Sequence, residues 1–435
     1  MLVFDGAKGV MLQKAGLRGG ECPELWNVTH RDEVKRIYTL YKESGADVIQ
    51  TNTFQGNRMC LEKYSLGNRT YELNFEGAAI AKEVMGGDGF VAASVGPVGK
   101  LFEPMGELTF ELAYETFKEQ IKALSDAGVD IVNFETFTDI SEMRAALLAA
   151  KESTDLPVIC SLSFEQNGKT LMGTDPYTAA VVLKSLGADM VGVNCSFGPD
   201  MMLDVLKGMH EAGGVYLSVK PNAGIPEIVD GRAVFCETPE RFAGFTAEFV
   251  KYGARLIGGC CGTTPEFVKA IRAEVDRLDV PQMQNKRRKV ITSDIRVVSL
   301  EGTKGISVGR IDAASDAEVC NEIKAGNMDY LAEKSQDILS DGHDALYINI
   351  DGCCGSPGLL AKVVNAAQPF ARIPFIIETS DHEALDEALR LYRGKAGVIV
   401  DDKNANCMNE LLSVANKYGS TIVERNFILP AEGRI

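Results

Sequence analysis

Over residues 1–280 the chain alternates short apolar runs with longer amphipathic stretches. The runs are MLVFDG, ADVIQTNT, FVAASVG, VDIVNFET, PVICSLSF, MVGVNC, YLSVKPNA and ARLIGGCC. They are rich in Val and Ile without strict polar alternation, the pattern of parallel strands covered on both faces. Between them lie helical stretches such as ELAYETFKEQIKALSDAG and PYTAAVVLKSLGA, closed by Gly before the next strand. Eight such units in ~250 residues have the size of a (β/α)8 TIM barrel. A doubly wound open sheet is the alternative, but no GxGxxG follows the first strand.

From about residue 291 the pattern changes. RVVSLEGTKGISVG predicts a hairpin, and the strands ALYINID, FIIETS, GVIVDD and GSTIVE follow. Helices such as DHEALDEALRLYRG and ANCMNELLSVANKYG separate them, giving about five βα units. Five units cannot close an eight-stranded barrel. The expectation is a barrel over 1–285 and a partial, half-barrel-like α/β domain over 286–435. The open sheet face of that domain is expected to be apolar, and the segment reads as a scaffold: either a homodimer interface, with a second copy covering that face, or a dock for a separate protein.

Composition narrows the function. A formal net charge of −16 repels phosphate backbones, so nucleic acid is not an expected partner. The basic run NKRRKV (285–290) is expected to be a solvated linker. No stretch reaches the ~18 apolar residues of a membrane span, and no basic region precedes an apolar core at the N-terminus. A cytoplasmic protein is expected. Eleven cysteines lie scattered without the density of a disulfide scaffold. In a reducing compartment such thiols are buried hydrophobes, metal ligands or nucleophiles.

Barrel chemistry sits where strands end. Those positions hold Asp5, Asn52, Glu135, Cys195, Asn222 and the pair Cys260–Cys261. Cys195 closes the sixth strand and the pair closes the eighth, so three thiols converge on one mouth. Three thiolates suit zinc and leave its fourth position open, the arrangement of a catalytic site. A thiol substrate in that position would be held as a nucleophilic thiolate. The alternative is that these cysteines are core residues. None of His30, His210, His343 or His382 falls at a strand end of this segment, so neither a histidine metal site nor a Ser-His-Asp triad is supported.

At this point the residues resemble a known family. The stretches FDGAKGVMLQ, ADVIQTNTF, ASVGPVG, AGVDIVNFETFTD, GTDP, VGVNCSFGP, SVKPNAG and GGCCGTTPE resemble the homocysteine S-methyltransferase domain over residues 1 to about 280. Betaine-dependent, S-methylmethionine-dependent and cobalamin-dependent enzymes share that domain. The resemblance implies a zinc held by Cys195, Cys260 and Cys261, and homocysteine contacts at Asp5, Glu135 and Asn222. Asn52 is a further candidate contact. Lys8 and Val10 depart from the pattern, which carries a small or apolar residue and Thr there. The implied reaction gives methionine from homocysteine, the methyl coming from a corrinoid on a partner protein, as methylcobalamin. The alternatives are an S-methylmethionine-type onium donor, or a non-catalytic module that binds homocysteine and zinc.

Residues 291–435 resemble the first half of the pterin-binding barrel that follows the homocysteine barrel in the cobalamin-dependent family. The family's Glu-Arg-Ile-Asn reads Gly309, Arg310, Ile311, Asp312 here, and its Asp-x-Asn reads Tyr347, Ile348, Asn349. Its Ile-Asp-Ser reads Ile377, Glu378, Thr379, and the Asn of its fourth strand is Val400. With those changes, and without strands six to eight, folate binding is not expected. The doublet Cys353–Cys354 in DGCCGSPG would need Cys407 or Glu378 to hold a metal, and inert loop thiols are expected instead.

Overall fold

The computed structural model describes residues 1–225, 227–229, 232–283, 288–302, 305–353, 358–400 and 405–429. The chain divides into two compact units, the first drawn almost entirely from residues 1–286 and the second from 287–435.

The first unit is a TIM barrel. Its eight parallel strands are Leu2–Val3, Val48–Gln50, Phe90–Val95, Ile131–Phe137, Val158–Leu162, Met190–Asn194, Tyr216–Lys220 and Ala254–Ile257. Each pairs with its neighbour in sequence, and the eighth pairs with the first. A bridge between Phe4 and Val48 closes the ring, with the Asp5 N–H donating to the Val48 carbonyl at 3.1 Å. All eight apolar runs therefore form the strands expected of them. Two of the long helices between them start where a polar side chain caps the first turn. Thr109 accepts from the Leu112 N–H before helix Phe110–Asp126, and Asp139 accepts from the Ser141 N–H before Ile140–Ser153.

Inside the ring, side chains alternate along each strand. Phe4, Val48, Ala92, Ile159 and Leu256 form an apolar layer with Leu2, Ile131 and Met190 against it. Two residues further along the same strands come Gln50, Ser94, Asn133 and Ser161, all buried. The barrel thus turns from apolar to polar towards its C-terminal mouth, where charged groups can be held out of bulk water. After the seventh strand a small antiparallel hairpin, Glu227–Val229 with Arg232–Val234, interrupts the βα order. Its strands are too short for apolar periodicity to mark them, although Asp-Gly between them is a hairpin signal.

The second unit is a five-stranded parallel sheet in sequential order: Val308–Asp312, Ala345–Asn349, Phe375–Glu378, Gly397–Ile399 and Thr421–Ile422. That is the wall of a half-barrel. The hairpin is displaced from its expected place: Val297–Ser299 pairs backwards with Val290–Thr292 rather than forwards. Ser293 decides this, because its Oγ accepts the N–H groups of Ile295 and Arg296 and closes the turn there. The expectation of an uncovered apolar face also fails. Val308, Ala345, Tyr347, Ile376, Ile399 and Val423 pack against Ile291, Leu300, Ile306, Val298, Phe427 and Ile428. The hairpin and the stretch after the last strand cover the face from within the same chain, so a second copy is not needed to bury it.

Among the described residues no helix is long and apolar enough to cross a membrane. Asn285–Arg287 of the basic run, and Cys354, lie outside the described residues.

Candidate active site

Three sulfur atoms meet at the mouth of the barrel. The Sγ atoms of Cys195, Cys260 and Cys261 all lie within 4.8 Å of one another, and Cys195 and Cys261 approach to 3.4 Å. Two ligands ~2.3 Å from a tetrahedral zinc are themselves roughly 3.8 Å apart, so the spacing fits one ion. Among the described residues this is the one cluster of three or more His, Cys, Asp or Glu groups able to hold a metal. The thiols also hydrogen-bond to each other. Contacts with Cys260 and Cys261, added to burial, push the Cys195 thiol up, while the contacts from Cys195 and Cys260 pull Cys261 down.

Local backbone delivers the thiols. Cys195 sits at φ 57°, a left-handed conformation unusual outside glycine, which turns its side chain out of the sixth strand. Gly259 lies so close to Thr263 that a Cβ would collide with the Thr263 side chain, and Gly262 takes φ 82°. The doublet between them therefore needs its glycine flanks. Asn222 ties the two loops together: its carbonyl oxygen accepts the Cys261 N–H at 3.1 Å and its amide donates to the Cys195 carbonyl at 3.3 Å. Asn194 adds a second brace, donating to Thr136 Oγ1 at 2.8 Å and reaching Cys260 Sγ at 3.8 Å.

The expected polar contacts surround the thiols but are already engaged. Glu135 accepts from Lys220 on one oxygen and from Ser94 on the other. Lys220 is 1% exposed, also donates to Gln50, and lies 4.7 Å above the Phe4 ring. Asp5 is fully buried, with Lys8 Nζ 2.6 Å and the Gln50 N–H 2.9 Å from one oxygen. Burial raises the Asp5 carboxyl, and Lys8 counteracts the shift. The Asn52 side-chain amide donates to Pro23 and Asn27, so it pins the loop after the second strand.

A cavity of about 1190 Å³ opens above this floor, lined by the three cysteines, Glu135, Lys8 and Asn52 among others. Asp5 and Asn222 stand behind its wall. Sequence reasoning missed Lys220, Ser94 and Gln50 as site residues. Their one signal was position, at or next to the last inward-facing residue of a strand. In the second unit Cys353 lies 3.4 Å from Cys320, a partner on helix Ala317–Ala325 that the sequence did not indicate. The inward polar residues of the half-barrel are tied to each other: Arg310 sits over the Tyr347 ring at 4.7 Å, and the Tyr347 hydroxyl donates to Glu378 at 2.9 Å.

The mouth of this parallel barrel thus gathers three thiols, spaced as metal ligands can be, and two lysine–carboxylate pairs. The homocysteine S-methyltransferase family model matches residues 2–275, and the chain belongs to that family. Methionine synthase of Mycobacterium tuberculosis is 29% identical over 439 residues, spanning 92% of this chain and 35% of that protein. Methionine synthase of Mycobacterium leprae is 34% identical, over 64% of this chain and 24% of that one. The chain thus spans about a third or less of the length of these relatives. The metallated homocysteine methyltransferase MmuM from Escherichia coli shares the barrel fold, with TM-score 0.53 and 22% identity over 63% of this chain and 96% of that one.

Proposed function

We propose that this chain is a zinc-dependent S-methyltransferase that places a methyl group on the thiol of homocysteine to give methionine. The observation that carries the proposal is the cluster of Cys195, Cys260 and Cys261 sulfurs opening onto the cavity. The donor set fits zinc with one position left for an acceptor sulfur. Zinc bound there supplies the means of holding that sulfur as a thiolate at neutral pH.

The chain's own residues do the remaining work. Asn222 and Asn194 fix the cysteine loops, and Lys8, Glu135 and Asn52 form the polar wall against which the acceptor's charged end is oriented. Holding acceptor and donor in line supplies much of the rate. The acceptor's proton leaves to solvent, sulfur bonds to the methyl carbon, and the methyl–donor bond breaks with its electron pair staying on the donor.

The donor we propose is a methyl-corrinoid carried by a separate protein. The methionine synthase relatives support this, since the match to 92% of the chain runs into the second unit. The second unit is then a pterin-binding-like domain that serves as a scaffold, its inward polar groups engaged with one another rather than open. The described cysteines are all free, in keeping with a reducing cytoplasm. The test is methionine formation by the zinc-loaded chain from homocysteine, with methylcobalamin, S-methylmethionine and methyltetrahydrofolate assayed in parallel. Turnover with methylcobalamin supports the proposal, turnover with S-methylmethionine alone replaces the donor, and homocysteine binding with no transfer makes the chain a binding module.

A further inference from the structure

We propose that Cys320 and Cys353 form a second thiol site, a reactive pair that hydrogen peroxide oxidises to an intramolecular disulfide. The pair lies in the second unit and does not depend on the reaction at the barrel mouth.

Two segments distant in sequence bring the sulfurs together. Cys320 stands on helix Ala317–Ala325, and Cys353 follows the strand Ala345–Asn349, 33 positions later. Their Sγ atoms are 3.4 Å apart, and Cys353 Sγ also lies 3.8 Å from the Cys320 carbonyl oxygen. Backbone holds the loop in this place. The Cys353 N–H donates to the Ile350 carbonyl at 2.8 Å and closes a turn. A Cβ at Gly352 would meet the Ala313 carbonyl oxygen at 3.1 Å, so the glycine lets the loop come this near to the helix. The sulfurs are already in contact, and a bond between them needs side-chain movement on the order of 1 Å.

The two thiols differ as such chemistry requires. Cys320 is half-buried, whereas Cys353 is buried. The contact with Cys353, and the Lys324 ammonium one turn along the helix, hold the Cys320 thiol below its ordinary range. Burial instead pushes the thiols of Cys22, Cys60 and Cys160 up, which suits inert core residues. Cys320 is therefore the attacking thiolate and Cys353 the resolving thiol. The thiolate takes one oxygen from peroxide, whose O–O bond breaks, giving a sulfenic acid and hydroxide. The Cys353 sulfur then attacks the Cys320 sulfur: the S–S bond forms, the S–O bond breaks, and the hydroxyl leaves as water with the Cys353 proton. Two thiols are oxidised and one peroxide is reduced to water. Small thiols of a reducing compartment reverse the bond by exchange, so it is a transient modification. While it lasts, it ties the helix to a rim loop of the half-barrel, where Asp351 holds the Thr379 hydroxyl and the Ser380 N–H.

The experiment treats the zinc-loaded full chain with hydrogen peroxide and maps disulfides by mass spectrometry of unreduced peptides. Cys320→Ser, Cys353→Ser and Cys354→Ser are run beside the parent. The parent and Cys354→Ser are expected to give the Cys320–Cys353 link, which dithiothreitol removes. Cys353→Ser should instead leave a Cys320 sulfenic acid that dimedone traps. Before oxidation, iodoacetamide should alkylate Cys320 about tenfold faster at pH 7 than the exposed Cys236, and Lys324→Met should slow Cys320 about threefold. Circular dichroism of each variant establishes that it is folded. A Cys320 that stays alkylatable after the barrel-mouth thiols have oxidised, or that links to a cysteine other than Cys353 in the parent, would overturn the proposal.

Discussion

Lys220, at the end of the seventh strand, pairs with Glu135 of the fourth, and both side chains are buried inside the barrel. The pair lies where the barrel interior has turned polar, one layer above Phe4. Two charges removed from water cost several kcal/mol each, and the pairing offsets that cost only while both partners remain.

Removing one partner should therefore hurt more than removing both. Lys220→Met leaves Glu135 buried and unpaired, and is expected to cost about 3–5 kcal/mol in urea unfolding. The double variant Lys220→Met/Glu135→Leu should recover a large part of that loss. Costs that simply add would show that the two residues do not depend on each other.

Asn222 is expected to govern metal affinity without touching the metal. Its side chain bonds to both cysteine loops, so Asn222→Ala releases Cys195 and Cys261 together. Loss of such an orienting partner lowers affinity by about 10–100-fold. Chelator competition for zinc measures it, and an unchanged affinity would remove Asn222 from the site's framework.

Glu142 predicts a pH dependence of stability. It is buried at the start of helix Ile140–Ser153, with the Val98 N–H donating to it at 2.7 Å, and burial raises its carboxyl to about 8. In the unfolded chain it titrates near the ordinary glutamate value, about 4.3. Between these values the folded protein keeps a proton that the unfolded chain has lost, so stability falls as pH rises through the window and levels off above about 8. The full effect is of order 5 kcal/mol. Glu142→Gln should match the parent near the acid end and exceed its stability at the alkaline end of the window. Parallel curves for the two proteins would contradict this.

The covered face of the half-barrel gives a stability test for the second unit. Ile291 is fully buried against the sheet. Ile291→Ala should cost about 2–5 kcal/mol through lost burial and the cavity left behind. A shift of urea midpoint well below that would mean the hairpin does not cover the sheet as described.

The barrel was legible in the sequence because parallel strands covered on both faces leave unbroken apolar runs, and eight of them stand in order. The three cysteines were legible because strand ends all point to one mouth. Other parts turn on contacts between distant residues that no local pattern encodes. Glu135 and Lys220 are 85 positions apart, and neither run reveals that its charge is matched. Asn222 looks the same in sequence whether it braces a loop or meets a ligand. The hairpin at Val290–Thr292 was misplaced because a single Ser293 hydroxyl chooses the turn over a longer and equally apolar stretch.

The central claim is that Cys195, Cys260 and Cys261 hold a catalytic zinc. Elemental analysis of the purified chain beside Cys195→Ala and Cys261→Ala variants, followed by the homocysteine methylation assay, tests it most directly. The account predicts about one zinc per parent chain, lost with turnover in both variants. A folded parent that holds no zinc when supplied with it would contradict the account and leave the three thiols as parts of a barrel wall.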